Sequence, residues 1–179
     1  MKSRNIDIFI SGAGPAGLLA SISFASLGYS VICVDPHKPV THANEAGADL
    51  RTTAFLQPAK NFMQSLDLWE ELKSHAVPME IMRIIDAAGE NWPPKEKTTK
   101  DFLSSDISDL PFGWNIPNWL LRRAFTEKAN KYSNLELKFG LTTSSFIRRD
   151  DAAFVYLDDG SQIKAKLVIG ADGRNSFIR

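Results

Sequence analysis

Ile6-Asp7-Ile8-Phe9-Ile10-Ser11-Gly12-Ala13-Gly14-Pro15-Ala16-Gly17 opens on an apolar, β-branched run and closes in the pattern G-x-G-x-x-G. The run from Ile6 to Ile10 is short and bounded by turn residues, which predicts a buried strand. Ser11 to Gly14 predicts a tight turn, and Pro15 to Leu27 a helix. Pro15 falls in the first turn, where a missing N–H costs nothing, and Gly28 can close the helix in the φ > 0 region. Val31 to Val34 predicts a second buried strand, ending at Asp35-Pro36. Together these form a β-α-β unit, and near-continuous apolar strands are what a parallel sheet covered on both faces requires.

Each residue of the turn has a separate task. Gly12 permits the tight turn, Gly14 lets a pyrophosphate approach the backbone, and Gly17 lets the helix pack against the strand. Pro15 and Ala16 begin the helix, whose N-terminus offers N–H groups and a partial positive charge to phosphates. Asp35, at the end of the second strand, is placed to accept hydrogen bonds from ribose hydroxyls. A carboxylate there disfavours a 2′-phosphate, so the site suits FAD or NAD better than NADP.

Farther along, His37 to Asp49 predicts a polar loop, and Pro58 can start a helix through Phe62, Met63 and Leu66. Leu68, Trp69 and Leu72 continue an apolar face after a break at Asp67, and Pro78 forces extended chain before it. Glu80 to Ile85 and the stretch near Asn91-Trp92 flank Ala87-Ala88-Gly89, which predicts a hairpin, whereas Pro93 to Asp109 reads as charged and irregular. Phe112 to Ile116 predicts a strand, and Asn118 is a plausible N-cap for a helix through Leu121, Ala124, Phe125 and Ala129. Phe154 to Leu157 and Ile163 to Ile169 predict strands joined by a hairpin turn at Asp158-Asp159-Gly160.

With 179 residues, 44% of them hydrophobic, the chain can bury the core of one compact domain. Lys+Arg and Asp+Glu both number 21, so net charge gives no reason to expect nucleic acid or bulk attraction to anionic lipid. The single cysteine, Cys33, excludes an internal disulfide, fits a reducing compartment and lies in an apolar run that predicts burial. Lys2 and Arg4 precede an apolar stretch, but Asp7 and the glycines interrupt it, so a secretory signal is not expected and a cytoplasmic protein is. His37, His42 and His75 show no metal-ligand spacing, and no metal site is expected. Trp92, Phe112 and Trp114 can line a substrate cavity, but core packing is the expected role.

The Gly12 to Asp35 unit, Asp49-Leu50-Arg51 and Gly170-Ala171-Asp172-Gly173-Arg174-Asn175-Ser176-Phe177-Ile178-Arg179 follow one another in that order. Leu56-Gln57-Pro58 through Leu66-Asp67-Leu68-Trp69, and Asn115-Ile116-Pro117-Asn118-Trp119-Leu120-Leu121-Arg122-Arg123, add supporting text. The chain thus resembles the flavoprotein aromatic hydroxylases of the para-hydroxybenzoate hydroxylase fold, and within them the ubiquinone-biosynthesis hydroxylase branch. The resemblance implies an α/β, Rossmann-like FAD-binding domain with a parallel sheet, plus part of a β-rich substrate-domain insertion. It assigns 1–77 and 118–179 to the FAD-binding subdomain and 78–117 to the start of the substrate-binding sheet.

For the site, the resemblance implies that Arg51 contacts the ribose and pyrophosphate region of FAD, and that Arg122 reaches the pyrophosphate from a helix. Asp172 and Gly173 match an Asp-Gly motif tied to FAD and to reduced nicotinamide, and a Gly-Asp motif for the ribityl chain follows, in the family, beyond the position of Arg179. The implied activity is hydroxylation of an aromatic ring, a ubiquinone precursor, with NAD(P)H as co-substrate and O₂ as oxidant; no catalytic base is identified. A peripheral place at the inner membrane or in a ubiquinone-biosynthesis complex goes with that substrate. The alternatives are another FAD oxidoreductase of the same fold, such as a prenyl reductase or halogenase, and a non-catalytic truncated homologue.

Overall fold

A computed structural model describes residues 4–89 and 92–179. Strand β1 (Arg4–Ser11), helix α1 (Pro15–Ser26) and strand β2 (Val31–Asp35) form the expected β-α-β unit. Helix α1 closes as the sequence predicts: Gly28 takes φ 88° and its N–H donates to Ala25 O at 3.0 Å. Next come β3 (Thr52–Leu56), α2 (Gln57–Ser65) and the short α3 (Trp69–Leu72), the two helices separated at Asp67, which takes φ 55°. Then follow β4 (Val77–Met79), β5 (Ile81–Ala88), β6 (Lys95–Leu103), β7 (Gly113–Pro117) and α4 (Asn118–Ala129). The chain ends with β8 (Leu135–Phe139), β9 (Thr143–Arg148), β10 (Ala153–Leu157) and β11 (Gln162–Gly170).

The main sheet runs β8-β2-β1-β11-β10-β9. Its first four strands pair in parallel, whereas β11–β10 and β10–β9 pair antiparallel, so the sheet is mixed rather than wholly parallel. Strand β1 sits between β2 and β11, with Ile8 opposite both Val31 and Leu167, and Ser11 opposite both Val34 and Gly170. Alternate residues of the central strands feed two cores. Ile8, Ile10 and Cys33 pack with Leu18 and Ile22 of α1 and with Leu120, Leu121 and Phe125 of α4. Phe9, Ile32 and Val34 pack on the other side with Val155, Leu157 and Ile163. Full burial of such side chains stabilises by about 1.5–3 kcal/mol each before conformational entropy is counted. Within the first core, the Trp69 and Trp114 rings meet edge to face at 5.2 Å.

A second sheet, β3-β7-β4, and a two-stranded hairpin, β5-β6, lie apart from the main sheet in pairing. The hairpin corrects two expectations. Lys95–Leu103 is a strand, not irregular chain, and Ala87 and Ala88 belong to β5 rather than to the turn. Asn91 lies outside the described residues. Every residue of β6 is exposed, so its sequence carries no apolar alternation; backbone pairing and the two 2.8 Å bonds from Arg83 to Asp101 hold it instead. Trp92 is 92% exposed and takes no part in the core.

Asn118 is not an N-cap. Pro117 occupies that position in extended conformation, and Asn118 is the first helical residue. Its amide is used elsewhere, accepting from Thr53 Oγ at 2.6 Å and donating to Asp49 Oδ2 at 3.0 Å.

The β3–β7 pair depends on close backbone approach. A Cβ on Gly113 would lie 2.2 Å from Phe55 O and 2.8 Å from Leu56 Cα, in rigid main chain. Gly113→Ala should therefore lower stability by about 1–3 kcal/mol. Denaturant unfolding measures this, and an unchanged midpoint would contradict the packing.

Candidate nucleotide site

The carboxyl ends of β1, β2 and β11 converge on the glycine turn. Gly12 takes φ 103° and donates its N–H to Val34 O at 2.7 Å. A Cβ there would lie 2.3 Å from Ala171 O, while a Cβ on Gly17 would lie 1.8 Å from Gly12 O. Gly12 and Gly17 therefore serve packing of the turn against β11 and α1. Gly14 differs: a Cβ there would meet nothing within 4 Å. It is the N-cap of α1, with Pro15 next, and the first i→i−4 bond is Leu18 N–H to Gly14 O at 2.9 Å. The N–H groups of Ala16 and Gly17 thus precede the intrahelical ladder, where helices offer donors to anions.

Two clefts flank this turn and share Gly14, Asp35 and His37. One, of about 440 Å³, is also lined by Gly12, Thr143, Ala171, Asp172 and Gly173. The other, of about 390 Å³, is also lined by Ala13, Lys38, Val40 and Arg122. Of the residues singled out in the sequence, Gly12, Gly14, Asp35, Asp172 and Gly173 therefore meet at the first cleft, and Gly14, Asp35 and Arg122 at the second. Arg51 lines neither cleft: its side chain is 84% exposed and bonded to Asp49.

Asp35 accepts Ala13 N–H at 2.7 Å on Oδ2 and His37 N–H at 2.8 Å on Oδ1. It braces the turn, and each oxygen keeps a lone pair for a further donor. Asp172 braces the other motif. Its Oδ1 accepts the Ser176 hydroxyl and its Oδ2 the Phe177 N–H at 3.0 Å. Burial pushes this carboxyl up, but the Ser176 hydroxyl and the N–H groups of Ile178 and Phe177 outweigh burial and hold it below the usual range. Beneath the cleft Ser11 Oγ and Thr143 Oγ, both buried, lie 3.2 Å apart. Burial raises the Cys33 thiol to about 12, leaving it protonated and inert at neutral pH.

Among the histidines, only His37 borders the clefts; His42 bonds Glu45, and His75 stacks edge-on against Trp119. Sequence reasoning overlooked the side-chain roles of Asp49 and Asn118. Two spacings hint at them, Asp49 two residues before Arg51 and Asn118 one helical turn before Arg122.

A mixed α/β sheet with two glycine motifs meeting at the carboxyl ends of its central strands defines a dinucleotide-binding domain. The chain belongs to the FAD binding domain family, which residues 5–179 match. It is 26% identical over 173 residues to ubiquinone hydroxylase UbiL of Rhodospirillum rubrum, covering 97% of this chain and 38% of that protein. To 3-demethoxyubiquinol 3-hydroxylase of Escherichia coli it is 25% identical over 179 residues, covering 100% of this chain and 44% of that protein. The chain thus spans less than half the length of these curated relatives. In fold it is similar to p-nitrophenol 4-monooxygenase PnpA of Pseudomonas putida (TM-score 0.74, 18% identity, covering 98% of this chain and 43% of that one). It is likewise similar to the flavin-dependent monooxygenase PieE, solved with FAD and substrate (TM-score 0.74, 19% identity, 99% and 32% covered). No helix among the described residues is long and apolar enough to cross a membrane.

The Asp172 brace makes a pH prediction. The folded carboxyl stays ionised to lower pH than a free one, so its support of the 172–178 turn is complete above the ordinary value of 3.8 and lost as pH falls through the folded value. Hydrogen-exchange protection of the Phe177 amide should fall along that course in the wild type. In Asp172→Asn it should be low throughout; equal protection in the two proteins at neutral pH would refute the brace.

Proposed function

We propose that this chain forms the nucleotide-binding part of an FAD-dependent monooxygenase that hydroxylates an aromatic ring, a ubiquinone precursor, using NAD(P)H and O₂. The observation that carries this reading is the open space at Gly14, which has no neighbour within 4 Å of a Cβ and borders both clefts. The hydroxylase names of the relatives support the reaction class. When bound, FAD supplies electron transfer and oxygen activation. The chain's own residues bind and orient. Gly14, Pro15, Ala16 and Gly17 present the helix N-terminus to the pyrophosphate, and Gly12 fixes the turn. Asp35 accepts a ribose hydroxyl, Arg122 and Arg51 supply positive charge, and Asp172-Gly173 shape the opposite wall.

The division into 1–77 and 118–179 for FAD and 78–117 for the start of the substrate-binding sheet fits β4, β5, β6 and β7 lying outside the main sheet. Strand β3 falls within the first range yet pairs with β7, so the border runs through that sheet. Leu56, Met79, Ile81, Met82 and Phe112 line an apolar groove of about 780 Å³ there, which suits an aromatic ring. A cytoplasmic enzyme at the periphery of the inner membrane, or within a ubiquinone-biosynthesis complex, would meet such an apolar substrate.

Full-length protein should purify with non-covalent FAD and oxidise NAD(P)H with hydroxylation of a phenolic or quinone-precursor ring, followed by mass spectrometry of the product. Gly14→Val should abolish flavin binding while leaving the far-UV circular dichroism unchanged, since the added side chain enters cofactor space rather than the sheet. Wild-type flavin affinity in Gly14→Val would overturn the reading.

A further inference from the structure

Arg122, a cationic side chain that lines a cleft with Ala13 and Gly14, is restrained by a residue outside both glycine motifs. Asp49 lies just before β3 with its side chain 13% exposed. Its carboxylate takes a two-pronged contact from Arg51, Nε to Oδ1 at 2.8 Å and Nη2 to Oδ2 at 2.8 Å. Oδ2 also accepts the Asn118 amide at 3.0 Å and stands 3.8 Å from Arg122 Nη2. Asn118 is itself fixed: its side-chain oxygen accepts from Thr53 Oγ at 2.6 Å, and its N–H donates to Arg51 O at 2.9 Å. Asn118 and Arg122 are one turn apart on α4 and share a face.

One carboxylate therefore joins the loop before β3, the start of β3 and the first turns of α4. The Arg51 guanidinium outranks burial in its effect on that carboxyl and holds it well below the usual range, so it is ionised at any physiological pH. Arg122, the guanidinium that lines the cleft with Ala13 and Gly14, is too far from Asp49 for a hydrogen bond. Its donors stay available to an anion while the charge of Asp49 restrains it. A guanidinium held in place before binding loses less freedom when a phosphate arrives.

We propose that Asp49 is a positioning residue of the dinucleotide site: gripped by Arg51, its carboxylate restrains the Arg122 guanidinium for the pyrophosphate of a bound dinucleotide. The proposal rests on the FAD reading above. It runs against simple charge counting, because Asp49 is an anion 3.8 Å from the guanidinium that would meet an anionic ligand. Coulomb attraction alone predicts that removing its charge tightens phosphate binding; positioning predicts that binding weakens.

The experiment uses full-length apoprotein and measures Kd for FAD by flavin fluorescence quenching, and Kd for ADP and adenosine by calorimetry. Adenosine lacks the pyrophosphate and reports on a folded adenosine pocket. Asp49→Asn should weaken FAD and ADP about tenfold or more, with adenosine changed by less than about twofold. Arg51→Lys, at an exposed side chain, keeps the charge but not the two-pronged geometry, and should weaken ADP several-fold with adenosine again unchanged. Unchanged or tighter ADP binding by Asp49→Asn would overturn the proposal. If Asp49→Asn loses adenosine as well, Arg51→Lys decides, and wild-type ADP affinity there would overturn it. Failure of the wild type to bind FAD and ADP would instead sink the FAD reading itself.

Discussion

At Gly12 four backbone segments are crowded into a space that admits no side chain. Its N–H bonds to β2 through Val34 O, its carbonyl oxygen would be 1.8 Å from a Cβ on Gly17 of α1, and its own Cβ would be 2.3 Å from Ala171 O beyond β11. The neighbouring Ser11 O accepts Ala171 N–H at 2.7 Å. Two motifs from opposite ends of the chain are therefore one physical object. Neither turn has its shape without the other, and the helix N-terminus is aimed only because Gly17 lets α1 come down on the junction.

Around this junction, carboxylates do the work that side chains of a core do elsewhere. Asp35 holds Ala13 from one side, and Asp172 holds the Phe177 turn from the other. Asp35 spends its charge on backbone N–H groups and Asp172 on the Ser176 hydroxyl as well as backbone N–H groups, which positions polar loops without burying an unpaired ion. Asp49 uses the same device with larger side-chain partners, since beside the Arg51 N–H it meets two guanidinium groups and an amide. The turns beside the clefts are thus set by charge-assisted hydrogen bonds, whereas the strands that carry them are set by apolar packing of buried residues such as Ile10, Cys33 and Val34.

What could be read from the sequence follows from how local each signal is. The β1-α1-β2 unit was legible because its apolar runs, its glycines and Pro15 all agree within a short stretch, and the β10–β11 hairpin because Asp158-Asp159-Gly160 is a strong turn. Strands β3, β8 and β9 were not, since Thr-Thr-Ala-Phe-Leu, Leu-Glu-Leu-Lys-Phe and Thr-Ser-Ser-Phe-Ile-Arg mix polar residues into partly exposed positions. Strands β3 and β8 depend on pairing with distant partners, β7 and β2, and β9 on its neighbour β10. In the site, the residues expected at a phosphate turn do gather around it. The tie between Asp49, Arg51 and Asn118 escaped because it joins residues far apart in sequence, and Asn118 looked instead like a local cap.

The order of the main sheet also has a bearing on synthesis. Strand β1 is made long before β11, one of its two parallel neighbours, with Ile8 paired to Leu167. A contact of such long range carries a large loop-closure penalty and tends to form slowly. Until β11 emerges from the ribosome, β1 presents an open edge of unpaired N–H and C=O groups, the kind of surface on which strands from other chains assemble. The cleft walled by Ala171 and Asp172 comes into being only when that edge is closed. Competence to hold a cofactor and relief from aggregation therefore arrive in the same step.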